Sequence, residues 1–205
     1  QFPIAKEMLT YMGIKYYEID NYEADDIIGT FAKYCDIEDD FIGTIISSDK
    51  DLLQLISSDV DIKLLKQKDY IRYNEESFKA EYGIDPINII DLKALMGDSS
   101  DNIPGVKGIG EKTALKLLQE YKTLDGIYAN IDNIKGKLQE KLLADKDNAY
   151  KSYDLATIVR DVPMDITLED IKYKSKDHEK LNNLYEELEF YSFLKKEEKS
   201  YDKPK

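Results

Sequence analysis

The sequence predicts an α/β fold whose second half is entirely helical. Two observations carry this. Between Pro3 and Tyr73 helical and strand patterns alternate, with one almost continuous apolar run of strand length, Phe41–Ile46. After Tyr73 only helical periodicity recurs. An apolar run of that length suits a parallel strand covered on both faces, so the expected sheet is mostly parallel. At 205 residues the chain is long enough for one large domain or two small ones with a real core.

Ile4, Met8, Leu9 and Met12 share one face over Pro3–Met12, and Gly13 follows, which predicts an amphipathic helix with a glycine stop. Ile14–Ile19 is β-rich and reads as a strand. Asn21 is placed to cap a helix running to about Tyr34, with Ile27, Ile28, Phe31 and Tyr34 as its apolar stripe. Asp49–Ile56 reads as a helix entered directly from the Phe41–Ile46 strand. Val60–Leu65 and Tyr70–Tyr73 read as two strands joined by a polar turn. The helical half is expected to hold Glu75–Tyr82 stopped by Gly83, Pro86–Met96 capped by Asp85, Glu111–Tyr121, Lys135–Ala144 and Asn148–Ile158. The expected division is an α/β core over 1–96, a helical subdomain over 97–194, and a charged tail or linker over 195–205.

Hydrophobic residues make up 42% and charged residues 35% of the chain, an ordinary balance for a globular protein. No run approaches the roughly 20 apolar residues that span a bilayer, and the opening QFPIAKEML has no leader pattern. The single cysteine, Cys35, cannot form an internal disulfide and fits a reducing, cytoplasmic setting as a buried thiol. His178, the only histidine, lies in a charged stretch and reads as a surface residue. A net charge of -13 argues against nucleic-acid binding over the whole surface. The charge is uneven, however. Glu18–Asp51 holds 11 acidic residues against two lysines, whereas Gly105–Lys151 holds nine lysines against seven acids.

Three acidic groups stand out: Glu23, Asp25 and Asp26 in YEADD; Asp49 and Asp51 in SSDKD; Asp98 and Asp101 in GDSSD. The first two fall at strand carboxyl ends, where open α/β sheets build their sites. Helix capping and the helix dipole also favour acids at such positions. Three clusters together point further. Carboxylates drawn close repel unless a cation lies between them. Without usable histidine or cysteine, the donor set suits Mg²⁺ or Mn²⁺. A hydrolase of this kind would activate its water with metal, using two ions about 3.5–4 Å apart on a phosphodiester.

GVKGIGEKTALKLL places Gly105, Gly108 and Gly110 ahead of a helix. No strand precedes it closely, so it is not a dinucleotide fingerprint. It reads as a tight hairpin between helices, in which Gly108 and Gly110 are expected to take positive φ and let a ligand approach the backbone. The N–H groups at the helix start, with Lys107 and Lys112, suit a nucleic-acid phosphate. A plain turn between helices is the simpler alternative.

NYEADDIIGTFAK, SSDKDLLQLIS, LKALMGDSSDNIPGVKGIGEKTALKLL and LEFYSFL together resemble the 5′–3′ exonuclease and flap endonuclease family. The likeness is strongest to its bacterial branch, which stands at the N-terminus of DNA polymerase I or alone. It covers Gln1–Leu194 in order and spacing. The resemblance implies a PIN-like 5′ nuclease core followed by a helix-hairpin-helix subdomain. It implies a metal-dependent phosphodiesterase that removes 5′ ends and flaps of DNA in replication and repair, as a monomer with no membrane partner. Glu23, Asp25, Asp49, Asp51 and Asp101 would be catalytic as holders of two Mg²⁺ or Mn²⁺ ions, with Asp26 and Asp98 as further metal-site acids. Gly105, Val106, Lys107, Gly108, Ile109, Gly110, Lys112 and Thr113 would grip duplex DNA, with K⁺ at the turn. The family's first strand, two of its metal-binding aspartates and its helical arch are not found in these residues. The expectation is therefore weak or no cleavage by this piece alone. The rival reading is a non-catalytic duplex-binding module; a weaker one is an RNA-directed nuclease with a related site.

Overall fold

The fold is taken from a computed structural model that describes residues 1–38 and 40–194. The charged tail expected over 195–205 lies outside the described residues. Contacts group the chain into two compact units, one of 1–20 with 164 onward and one of 21–163.

The smaller unit contains α1 (Phe2–Tyr11) and α9 (His178–Glu187). Backbone bonds from Lys174 N–H to Gly13 O (3.1 Å) and from Asp177 N–H to Tyr11 O (2.8 Å) join its two chain segments. Leu168, Leu181, Leu184 and Tyr185 supply its buried apolar residues. Ile14–Ile19 forms no strand. β propensity marks residues that fit a pleated surface, but a strand needs a pairing partner, and none is present among the described residues.

The larger unit begins with α2 (Ala24–Ile37), β1 (Gly43–Ser47), a 3₁₀ turn over Asp51–Leu55, β2 (Val60–Lys66) and β3 (Asp69–Tyr73). The sheet order is β1-β2-β3. β1 runs parallel to β2, with Gly43 opposite Val60, and β3 returns antiparallel, with Ile62 opposite Tyr73. The sheet is thus small and mixed. β1 is not covered on both faces as expected: Ile46 is 63% exposed, and β1 is an edge strand among the described residues.

Then come α3 (Glu75–Tyr82), α4 (Ile89–Met96), α5 (Glu111–Tyr121), α6 (Leu124–Ala129), α7 (Lys137–Ala144) and α8 (Lys146–Ala156). The expected Pro86–Met96 helix is divided into a 3₁₀ turn over Pro86–Asn88 and then α4. α6 and α9 were not anticipated; α6 is only six residues long, too short for a periodic signal. α4 is the hub, with Ile89, Ile90, Leu92, Ala94 and Leu95 all buried. Asp91, buried in the same helix, accepts hydrogen bonds from Leu124 N–H (2.7 Å) and Asn88 Nδ2 (2.9 Å), which explains a charge in an apolar stretch. No helix among the described residues is long and apolar enough to cross a membrane.

Candidate active site

Glu23, not Asn21, is the N-cap of α2. Asn21 instead takes a left-handed backbone, φ 68°. Asp26 spends both oxygens on the backbone: Oδ2 accepts from Glu23 N–H (3.1 Å) and Oδ1 from Val159 N–H (2.9 Å). The second bond ties the start of α2 to the segment after α8. Gly29 permits that approach, since a Cβ there would meet Ile158 Cγ2 at 2.7 Å. Gln54 makes a parallel tie, donating to Ala156 O (2.9 Å) and accepting from Ile158 N–H (3.0 Å).

At the carboxyl end of β1, Asp49 Oδ1 accepts from Asp51 N–H (2.9 Å). The expected helix is only a 3₁₀ turn, Asp51–Leu55, whose own residues Leu52, Leu53, Gln54 and Leu55 are buried. That burial fixes Asp51 at the mouth of the turn.

The third cluster sits on a loop closed on itself. Asp98 and Ile103 exchange two backbone hydrogen bonds (2.9 and 2.8 Å). Gly97 (φ 71°) and Gly105 (φ 61°) meet at its neck; a Cβ on Gly105 would lie 2.3 Å from Gly97 N. No side chain fits there. Asp98 Oδ1 accepts from Ser100 N–H (2.8 Å), and its other oxygen pairs with Lys93. Those bonds, Lys93 first and then Ser100, hold the Asp98 carboxyl well below the usual range.

Lys93, absent from the sequence-based set, projects from α4 into this site. Its ammonium lies 2.5 Å from Asp51 Oδ1 and pairs with Asp98 as well. Burial opposes its charge, but the two carboxylates outweigh burial and raise its pKa. The available signal was a lone lysine in the apolar stretch IIDLKALM, the same kind of signal as Asp91.

The fold brings the clusters together. Glu23, Asp25, Asp26, Asp49, Asp51 and Asp101 all line one cavity of about 570 Å³. One oxygen each from Asp51, Asp98 and Asp101 lies within 4.8 Å of the others. Asp154, at the end of α8, borders the same cavity and was not anticipated. Asp51 Oδ1 is buried without a hydrogen bond of ordinary geometry, so Lys93 serves it as a counter-charge. This donor set fits hard divalent cations.

Crowding acts most strongly on Asp25. Burial, then Asp49, Asp51, Glu23 and Asp26, push its carboxyl up to about 6 from 3.8. The folded chain therefore retains a proton between those values that the unfolded chain has lost, and ionising Asp25 costs stability as pH rises through that window. Asp25→Asn is expected to raise the Tm of the metal-free protein at pH 7.5. The gain is on the order of 2 °C, because the group is only half-buried, and it vanishes below pH 4. Thermal unfolding in EDTA across pH 4–8 checks this.

The glycine hairpin lies in the same compact unit. Val106 and Ile109 are core residues, 2% and 4% exposed, and Gly105 is buried with its N–H on Ser152 Oγ (2.9 Å). The outward parts are Lys107, Gly108, Gly110 and Lys112. Gly108 has φ 76°, as expected, but Gly110 does not share it: its φ of -104° is ordinary extended backbone. A Cβ on Gly110 would meet nothing within 4 Å. Neither backbone angle nor steric room therefore requires glycine at this position. Gly110 is the N-cap of α5, its C=O accepting from Thr113 and Ala114 N–H. The N–H groups of Gly110, Glu111 and Lys112 have no acceptor among the described residues.

A second cavity, of about 540 Å³, shares Asp49, Asp51 and Asp101 with the first and extends to Glu111, the first residue of α5. The second cavity is thus bordered both by aspartates of the acidic site and by the first residue of the hairpin helix.

Comparison with known proteins matches two consecutive family models, the N-terminal resolvase-like domain of 5′-3′ exonuclease over residues 1–83 and its C-terminal SAM fold over 84–179. The chain belongs to the 5′-3′ exonuclease family. DNA polymerase I of Bacillus caldotenax is 48% identical over 97% of this chain, and that of Geobacillus stearothermophilus is 50% identical over 96%. The chain spans 23% of the length of each. Among solved structures, a bacteriophage T5 flap endonuclease in a pseudo-enzyme–product complex with DNA and metal ions is 27% identical, with a TM-score of 0.58 over 68% of this chain and 51% of that one. The catalytic core of Rad2 in complex with a DNA substrate shares the fold, with a TM-score of 0.64 over 90% of this chain and 63% of that one, at 21% identity. This exonuclease-family chain therefore has the 5′ nuclease fold with a SAM-like helical C-terminal part.

Proposed function

We propose that this chain carries the metal site and the duplex grip of a divalent-metal-dependent 5′–3′ exonuclease and structure-specific 5′-flap endonuclease, hydrolysing DNA phosphodiesters in replication and repair. One observation carries the reading: three acidic clusters distant in sequence line one cavity, and the second cavity, which shares aspartates with it, is bordered by the first residue of the hairpin helix.

Glu23, Asp25, Asp49, Asp51 and Asp101 hold the cations and so place the reacting phosphodiester. Two Mg²⁺ or Mn²⁺ ions, when bound, supply water activation and stabilisation of the leaving oxygen. Asp26 and Asp98 act mainly as positioning residues, since their oxygens already hold Val159, Ser100 and Lys93. Lys93 neutralises Asp51 and keeps the pocket folded when cations are scarce. Lys107, Gly108, Gly110 and Lys112 present charge and bare backbone to a duplex phosphate, a contact that positions DNA without reading its sequence. K⁺ at the turn's carbonyls belongs to this proposal; Gly108 O is already met by Lys141 Nζ at 2.9 Å. The partners are DNA 5′ ends and 5′ flaps, with the chain acting as a monomer. The division into a 1–96 core and a 97–194 DNA-binding subdomain remains part of the reading.

Two of the aspartates that the family resemblance implies are not among these 205 residues, so weak or no cleavage is expected from this chain alone. Incubation with a 5′-flap substrate and Mg²⁺ tests it, with and without a family segment supplying those aspartates. Cleavage restored only by that segment supports the reading. A silent assay in both arms, with duplex binding intact, points instead to the non-catalytic module.

A further inference from the structure

Helix α7 ends against the hairpin, and two residues one turn apart hold it. Asp145 Oδ2 accepts from Lys107 N–H at 2.9 Å. Lys141 Nζ donates to Gly108 O at 2.9 Å. The lysine lies so close to the turn that a Cβ on Gly108 would stand 2.7 Å from its nitrogen. Asp145 has its own partners, with Oδ1 accepting from Asn148 Nδ2 at 3.1 Å. No carboxylate among the described residues lies within ion-pair distance of Lys141, whereas Lys6, Lys79, Lys93, Lys172 and Lys180 all have one. Lys122 and Lys135 also donate to backbone carbonyls, but each only three residues back along the chain, whereas Lys141 reaches a carbonyl 33 residues away, on the hairpin. The carbonyl it meets belongs to Gly108, two residues before Gly110, where the positive end of α5 offers N–H groups without acceptors. Like charges gathered there repel unless an anion joins them.

We propose that Lys141 is a phosphate-binding residue of the hairpin, supplied from outside the motif and oriented by the Gly108 carbonyl. An ammonium has three donors. One is committed to Gly108 O; the others face solvent from an exposed side chain. The ligand class is the phosphodiester backbone of duplex nucleic acid. This inference rests on the hairpin being a duplex grip, as proposed above.

The experiment measures binding of this chain to a duplex with a 5′ flap in EDTA, so that no cleavage occurs, across a KCl series. Lys141→Met keeps the stem and removes the charge. It is expected to weaken binding about tenfold at 150 mM salt and to lower the slope of log K against log[KCl] by about 0.9, the value of one neutralised phosphate. Lys141→Arg is expected to keep the slope, and both variants to keep the wild-type Tm. An unchanged slope in Lys141→Met overturns the proposal, even if affinity falls, because a purely structural clamp would lose affinity without releasing fewer counterions. Gly110→Val separates the two readings. If it loses binding while Lys141→Met does not, this inference alone fails; if both bind as wild type, the hairpin reading fails with it.

Discussion

Asp51→Ala is expected to lower Mg²⁺-dependent cleavage of 5′-flap DNA by about 10³-fold or more while duplex binding stays within about twofold. The measurement uses this chain joined to a family segment that carries the further aspartates, with single-turnover cleavage and EDTA binding read side by side. Asp51 is the right residue to remove because it belongs to both cavities and to the aspartate group gathered within 4.8 Å. One of its oxygens is buried and served only by Lys93 as a counter-charge. Burial raises its carboxyl, and Lys93 opposes that rise. Removing it therefore relieves a charge the fold holds at a cost, and Lys93 retains Asp98. Stability should change little, so lost cleavage cannot be laid to unfolding. Asp49→Ala should behave alike, at the cost of one turn bond to Asp51 N–H. Cleavage persisting at wild-type rate in either variant would remove these aspartates from the chemistry.

Gly110→Val is expected to weaken duplex binding by about 10- to 100-fold, the range of one or two lost charge-assisted hydrogen bonds. The backbone at Gly110 suits a branched residue, and a Cβ there meets open space. The cost to folding is confined to the N-cap, where valine is poor, and amounts to about 1 kcal/mol or less. Gly110→Ser sharpens the test. Serine is a preferred N-cap, so stability should hold or rise, yet its side chain stands where a phosphate would approach. Binding that falls while Tm holds identifies the glycine as one kept for a ligand. Equilibrium binding in EDTA and thermal unfolding of both variants check this.

Much of the site was legible because its signals are local. Acids at element ends, Gly83 stopping α3 with φ 69°, and a glycine hairpin opening a helix follow from backbone chemistry that acts over a few residues. The misses share a cause. Ile14–Ile19 has strand composition without a partner, and Asp49–Ile56 has a helical pattern but folds as a 3₁₀ turn packed under Asp51. Lys93, Asp154 and Lys141 act at places set by residues far away in the chain.

By itself the sequence determined the split into an α/β half and a helical half, the acidic donor set, and the turn that lets α5 begin with free N–H groups. These depend on propensity, capping and the conformational freedom of glycine. Only the tertiary structure decided that Asp25, Asp51 and Asp101 share a cavity and that Asp26 and Asp98 are tied to other partners. It alone placed lysines from α4 and α7 beside the acids and the hairpin. Electrostatic energy depends on distance through space, and the spacing of residues along a chain does not contain it.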